Sequence, residues 1–289
     1  MTIEELARSV RSRLAAIYGE GEAKAMVRLA FHAMYGWDTT QYILRSDREA
    51  SEDMQKRFEA LLARLAAHEP IQYILGQADF YGMIFKVEPG VLIPRPETAG
   101  LVDWIVDDYK ERRDLRVLDV GTGTGCIAVS LALNLPFAEV TAIDVNPIAV
   151  SLASSNARSL HASIKAEKMD VFSFVPEPES LDIIVSNPPY IAEKEKATMA
   201  PNVLLYEPEE ALFVPDDDPL KFYRRIAQMA RPALRSGGSL YFEINPLYAA
   251  QTISMLQEQG WSDVEARKDY CGKVRFLRVC LPLNRINKQ

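Results

Sequence analysis

The stretch Val117-Leu118-Asp119-Val120-Gly121-Thr122-Gly123-Thr124-Gly125, running into the apolar segment 126–133, decides the fold. A short strand-like run gives way to three glycines in five residues and then to a helical pattern. Glycine lets the backbone turn sharply and lets a ligand approach with no side chain in the way. A nicotinamide or flavin loop places its third glycine or alanine one residue later, where Cys126 stands, and a P-loop needs a Gly-Lys-Ser or Gly-Lys-Thr that is missing. What remains is a strand, loop and helix suited to a nucleoside-like ligand without a pyrophosphate. A tight turn with no ligand is the plainer alternative, and it gives no reason for three glycines.

Outward from this unit, apolar runs at 140–143, 181–185 and 240–244 alternate with helical patterns, and residues 164–168 form a further extended stretch. Strands spaced by helices predict an α/β architecture, a mostly parallel sheet with helices on both faces. The runs 264–267 and 274–281 are joined by a short turn and predict an antiparallel hairpin at the sheet edge. Toward the amino terminus, Ile3, Leu6, Ala7, Val10, Leu14 and Ile17 recur at three- and four-residue steps, predicting an amphipathic helix over 3–18. A second is predicted over 22–35. A third starts at Ser51, an N-cap followed by Glu52 and Asp53, with Met54, Phe58, Leu61, Leu62 and Leu65 on one face. Residues 79–87 alternate and stop at Glu88-Pro89-Gly90, after which Val91-Leu92-Ile93 resumes, predicting a β-hairpin that turns at 88–90. The chain therefore divides into a small all-α domain (1–75), a linking β-hairpin (76–95) and an α/β domain (96–289).

Composition narrows the function. The 289 residues are 48% hydrophobic and 25% charged, the balance of an ordinary globular protein with room for two domains. A net charge of −7 has the wrong sign for a broad phosphate-binding face, so nucleic acid is disfavoured as the main partner. No apolar stretch reaches the roughly 18 residues of a membrane span. The first residues, Met1-Thr2-Ile3-Glu4-Glu5, are acidic where a leader would be basic, which points to the cytoplasm. Cys126, Cys271 and Cys280 form no CxxC pair and suit a reducing compartment, as core residues. No carboxylate cluster or His/Cys spacing suggests a metal. His32, His68 and His161 lie outside every motif, and Asp107-Asp108 and Asp216-Asp217-Asp218 read as solvated charge.

Two more motifs carry chemistry. Asp144 closes the run 140–143 about 20 residues beyond the glycines, where doubly wound sheets place an acid that accepts from ribose hydroxyls. Ser186-Asn187-Pro188-Pro189-Tyr190 follows the run 181–185. Its prolines fix φ and donate no N–H, which leaves the Asn187 and Pro188 carbonyls rigid and free to accept. Asn187 adds a side-chain acceptor and Tyr190 an aromatic face, a combination that grips a planar NH2 group.

In this order the three motifs resemble the class I S-adenosylmethionine-dependent methyltransferases, and Asn187-Pro188-Pro189-Tyr190 resembles the subset that methylates amide or exocyclic amine nitrogens. The segments 70–76, 80–82 and 89–98, with Tyr206-Glu207-Pro208, Ala211-Leu212-Phe213 and Glu243-Ile244, narrow the resemblance. Over nearly the whole chain it is similar to the peptide chain release factor glutamine N5-methyltransferases. The resemblance implies a Rossmann-like methyltransferase sheet behind a helical domain that docks the protein substrate. It implies S-adenosyl-L-methionine as cofactor, its methionine part held by Gly121, Thr122, Gly123, Thr124 and Gly125, its ribose by Asp144 and its adenine near Asp170 and Val171. Asn187, Pro188, Pro189 and Tyr190 would be catalytic, with Asn187 also bordering the cofactor. The implied reaction methylates the glutamine of a Gly-Gly-Gln motif. Ala99, Asn245 and Val274 depart from that family's usual Glu, Gly and acid. Glutamine methylation of a ribosomal protein, adenine-N6 methylation of nucleic acid and a non-catalytic binding module are the alternatives.

Overall fold

In the computed structural model, which describes residues 1–282, the chain forms two units: Met1–Gln77 with Ala200–Tyr206, and Ala78–Met199 with the residues from Glu207 onward. The first unit is helical. Helix α1 (Ile3–Tyr18) starts in a capping box, Thr2 accepting from the Glu5 N–H at 3.1 Å while the Glu5 carboxylate accepts from the Thr2 N–H at 2.8 Å. Helix α2 (Glu20–Tyr35), the short α3 (Thr39–Ile43), α4 (Glu52–Ala66) and α5 (Ile71–Leu75) follow. Ser51 caps α4 by accepting from the Met54 N–H, as the sequence predicts. Leu14, Phe31, Phe58 and Leu61 lie at the centre of this core. Of the six positions predicted to face inward on α1, five are buried and Ile17 is exposed.

The second unit opens with strands β1 (Gln77–Phe80) and β2 (Met83–Lys86), turned at Tyr81-Gly82, both of which take left-handed φ. The strand pair is present, but its turn lies earlier than predicted. At 88–91 the Val91 N–H donates to the Glu88 carbonyl in a separate turn, and Ile93 N–H is taken by a side chain, so residues 88–94 form no strand. Helix α6 (Ala99–Tyr109) leads into the alternation β3 (Arg116–Val120), α7 (Cys126–Asn134), β4 (Glu139–Asp144), α8 (Pro147–Ser159), β5 (Ile164–Lys168) and β6 (Leu181–Ser186). Strand β7 (Ile191–Ala192) comes next; α9 (Pro201–Tyr206) belongs to the helical unit. Then come α10 (Glu209–Leu212), β8 (Phe213–Val214), α11 (Lys221–Ala233), β9 (Leu234–Glu243), α12 (Ala249–Glu258), β10 (Glu265–Lys268) and β11 (Val274–Cys280).

Seven strands form one sheet in the order β10-β11-β9-β6-β3-β4-β5. The five from β9 to β5 are parallel, while β11 runs antiparallel to both β9 and β10, the edge hairpin foreseen in the sequence. Side chains alternate between the faces. Val117, Ile183, Val185 and Tyr241 join α6, α7 and α8 in one core, and Leu118, Ile184, Leu240 and Phe242 join α11 and α12 in the other. No helix among the described residues is long and apolar enough to cross a membrane. Two lesser expectations are corrected. Cys126 is buried, but Cys271 is exposed in the turn before β11. Asp108 is not solvated charge: it accepts from Tyr241 Oη and from Arg278 Nη1, both at 2.6 Å, because the edge strand brings an arginine over it.

Candidate active site

The strand order reverses between β3 and β6, where a crevice opens at the carboxyl ends of a doubly wound sheet. Val120 is paired with Ser186 across this boundary, so the glycine loop and the Asn187 tetrad leave the sheet side by side. The Ser186 hydroxyl ties the two ends, donating to the Val120 carbonyl at 2.7 Å.

Gly121 and Thr122 both donate their N–H to the Ile143 carbonyl, at 2.9 and 3.1 Å, which pins the loop to the end of β4. Gly125 caps α7 with φ +81°, and a Cβ there would lie 2.9 Å from the Ala153 Cβ on α8. Glycine is thus required here both by the backbone and by the packing of α7 on α8. The Asp144 carboxylate accepts from Gly123 N–H and from Asn146 N–H, each at 2.9 Å. Burial raises its pKa, against the pull of those two N–H groups. Asp119 is fully buried beneath the loop; its Oδ2 accepts from the Thr122 hydroxyl at 2.7 Å, and its Oδ1 has no hydrogen-bond partner. Burial pushes this carboxyl up to about 7, with the Thr122 hydrogen bond opposing and the Asp144 charge adding.

Above the loop lies a cavity bordered by Gly121, Thr122, Gly123, Thr124, Asp144, Asp170, Val171, Asn187, Pro188 and Pro189. Two of the residues singled out in the sequence do not border it. Gly125 sits at the start of α7, and Tyr190 turns away, donating its hydroxyl to Glu243 Oε1 at 3.2 Å. Asn187 donates from Nδ2 to Thr98 Oγ1 at 3.4 Å, and Thr98 donates to Glu243 Oε2 at 2.7 Å. Asn245 Nδ2 donates to the Tyr190 carbonyl at 3.1 Å and to Glu195, so Asn245 braces the tetrad. Among the described residues, no protein group donates to the carbonyls of Asn187 or Pro188.

The remaining wall, residues 90–95, was not assigned to the site by the sequence reasoning. Asn146 Nδ2 donates to the Gly90 carbonyl at 2.8 Å, and the buried Glu207 accepts from Ile93 N–H at 3.3 Å and from Arg95 Nη2 at 2.6 Å. Thr98, Glu207 and Glu243 thus shape the site without having been counted in it. Their partners lie up to 145 residues away, which no local periodicity reveals; the only signal was their presence in the segments that carried the family resemblance.

The arrangement offers bare backbone at Gly121 and Gly123, a carboxylate at Asp144 and apolar surface at Val171, Phe222 and Ile226, a cradle for a ligand with a nucleoside at one end. Comparison with known proteins agrees. The family description "PrmC N-terminal domain" matches residues 5–76 and "Methyltransferase small domain" residues 101–216. A release factor glutamine methyltransferase of Bacteroides thetaiotaomicron is 49% identical over 269 residues, covering 93% of this chain and 96% of that one. One from Cereibacter sphaeroides is 37% identical over 282 residues, covering 98% and 99%. Among solved structures, the T. thermophilus 16S rRNA N2 G1207 methyltransferase in complex with AdoMet and guanosine has a TM-score of 0.52 at 21% identity, covering 71% of this chain and 49% of that one, a likeness of fold alone. With close to half its residues shared with a relative along more than nine-tenths of both chains, this chain belongs to the release factor glutamine methyltransferase family.

Proposed function

We propose that this chain methylates the side-chain amide nitrogen, N5, of the glutamine in the Gly-Gly-Gln motif of peptide chain release factors, in the cytoplasm. Residues 1–75 dock the protein substrate, 76–95 link, and 96–289 carry the chemistry. The cofactor is S-adenosylmethionine, which when bound supplies an electrophilic methyl on a sulfonium. Gly121, Thr122, Gly123 and Thr124 form the cradle for its methionine part, with Gly125 supporting them from the start of α7, Asp144 accepts from the ribose, and Asp170 with Val171 borders the adenine. The bare backbone at Gly121 and Gly123 fits this, since both border the cavity in left-handed conformations that side-chain-bearing residues rarely adopt.

A primary amide nitrogen is a poor nucleophile because its lone pair is delocalised into the carbonyl. Positioning makes up the difference. Asn187 Oδ1 and the Pro188 carbonyl each accept one hydrogen of the target amide, which holds the nitrogen in line and stabilises the positive charge that grows there. Pro189 keeps the Pro188 carbonyl out of any helix, and Tyr190 closes the tetrad from behind, anchored on Glu243. No general base would be needed as the carbon–nitrogen bond formed, since the carbon–sulfur bond would break with its electron pair staying on sulfur, and the amide proton would leave to water afterwards.

The observation that carries this reading is the pair of uncommitted acceptors at Asn187 and Pro188 beside a glycine cradle. The test is methyl transfer from labelled S-adenosylmethionine to purified release factor, comparing Gly-Gly-Gln substrate with a Gln→Ala version and wild-type enzyme with Asn187→Ala. Label should require both groups, with Asn187→Ala lowering turnover roughly 100-fold or more. Label on ribosomal protein or nucleic acid instead would sink the substrate assignment.

A further inference from the structure

An asparagine side chain is nearly the same shape when its oxygen and nitrogen are exchanged, so packing alone does not decide which atom faces the cavity. For Asn187 the choice is decisive. Turned one way it offers an acceptor to a target amide; turned the other, it points NH2 at NH2. The proposed function rests on the first orientation, and the structure contains a device that selects it.

Glu243 is the last residue of β9, and β9 pairs in parallel with β6 so that Phe242 lies opposite Ser186. The sheet therefore brings Glu243 and Asn187 off neighbouring strand ends, and Thr98, just ahead of α6, lies between their side chains. Thr98 and Glu243 are 2% and 1% exposed, so water does not replace either contact. A carboxylate only accepts, and a hydroxyl has a single proton. With that proton committed to Glu243 Oε2, Thr98 can offer Asn187 nothing but a lone pair, and only the NH2 end of Asn187 can meet it. The other carboxylate oxygen, Oε1, is held by the Tyr190 hydroxyl, with Arg275 Nη1 at 4.0 Å. We propose that Thr98 and Glu243 are positioning residues: a relay of hydrogen bonds from carboxylate to hydroxyl to amide that fixes Asn187 with its oxygen toward the target nitrogen. The relay also explains why a buried carboxylate stands at the end of β9, away from the cavity it serves.

Two measurements decide it. In cofactor-bound enzyme, the Asn187 side-chain NH2 signals are identified by their loss in Asn187→Asp, and their exchange with water is followed by NMR. In the wild type one of the two protons should be protected; in Thr98→Val, which keeps the shape and removes the hydroxyl, both should exchange alike. In turnover on release factor, Thr98→Val should lower kcat about 10- to 100-fold. KM for release factor and Kd for S-adenosylmethionine should stay within about twofold, and Thr98→Ser should restore most of kcat. Equal protection in wild type and Thr98→Val, or wild-type kcat in Thr98→Val, would overturn the proposal, as would a loss that appears in cofactor Kd instead of kcat. Failure of the wild type to methylate release factor would refute the substrate reading, not this one, which the amide signals settle.

Discussion

Binding of a cationic cofactor over the glycine loop should release protons, because the acid buried below it, Asp119, is held partly protonated. Burial pushes Asp119 up to about 7 and raises Asp144 as well. S-adenosylmethionine carries a sulfonium and an ammonium against one carboxylate, a net charge of about +1, and its arrival favours the ionised form of both acids. A group titrating at about 7 is half protonated at pH 7, so up to about 0.5 proton should be released per cofactor there, about 0.9 at pH 6 and under about 0.1 at pH 8. Calorimetric titration in buffers of different ionisation enthalpy measures this directly, since the observed binding enthalpy varies linearly with that of the buffer and the slope is the number of protons. Asp119→Asn should flatten most of the slope. A flat wild-type plot at pH 6, or an unchanged slope in Asp119→Asn, would refute the account of Asp119. Stability follows the same proton. The unfolded chain gives it up near 3.8 and the folded chain only near 7, so the folded state loses stability as pH rises across that window. Asp119→Asn should therefore gain on the wild type with rising pH, by at most about 4 kcal/mol above pH 7, and should lose the advantage below about pH 4.

Other perturbations test the frame around the site. Gly125→Ala forces a left-handed φ on an L-residue and a methyl into Ala153, which should cost about 3 kcal/mol and lower Tm by about 6–12 °C in a thermal melt. An unchanged Tm would mean that α7 does not sit on α8 as described. Glu207→Ala removes the acceptor that holds Ile93 and Arg95, and should raise cofactor Kd about tenfold by freeing that wall, read by calorimetry; an unaltered Kd would show that the wall stands without it. Phe31→Ala empties the centre of the helical core at a cost of about 3–5 kcal/mol. It should raise KM for release factor while leaving cofactor Kd untouched, and an unchanged KM would remove the helical unit from substrate docking.

What the sequence disclosed depended on how local each signal was. The helix over 3–18, the Ser51 cap and the parallel strands were legible because three- and four-residue spacing, an N-cap and short apolar runs are read within a dozen residues. The turn of the linking strands was misplaced because Glu88-Pro89-Gly90 is a stronger turn signal than Tyr81-Gly82. Yet the chain uses Tyr81 at φ +51° to close the strands and commits 88–91 to a turn in the cavity wall. The glycine loop, Asp144 and the tetrad were visible as motifs at strand ends. Their supports were not: Thr98 to Glu243 spans 145 residues and Ile93 to Glu207 spans 114, and only the fold brings such residues together. The inclusion of 200–206 in the helical unit belongs to the same class, since the Tyr206 hydroxyl bonds to the Ala67 carbonyl across 139 residues.

The buried acids show why the supports are charged. A loop that leaves a sheet forfeits the ladder of main-chain hydrogen bonds, and each N–H it buries needs a partner from elsewhere. Around this cavity some of these N–H groups reach main-chain carbonyls, and the other supports are carboxylates. Asp144 takes the N–H of Gly123, Glu207 takes that of Ile93 along with the Arg95 guanidinium, and Glu243 takes the hydroxyls of Thr98 and Tyr190. A buried carboxylate is costly, and an apolar residue of similar volume would often leave a protein as stable or more so. An apolar residue, however, cannot orient an amide or accept from two donors at once. The acids therefore trade stability for geometry, and Asp119 is the exception that fits the rule. Its Oδ1 makes no well-formed hydrogen bond, the Ala128 N–H only weakly favouring the charge, and it is the acid whose charge a cationic cofactor would balance. If that is the balance struck, Asp119→Asn should stabilise the free enzyme and weaken cofactor binding together. Thr98→Val should leave cofactor binding alone and weaken turnover, so the two substitutions separate the acid that answers the ligand from the relay that orients Asn187.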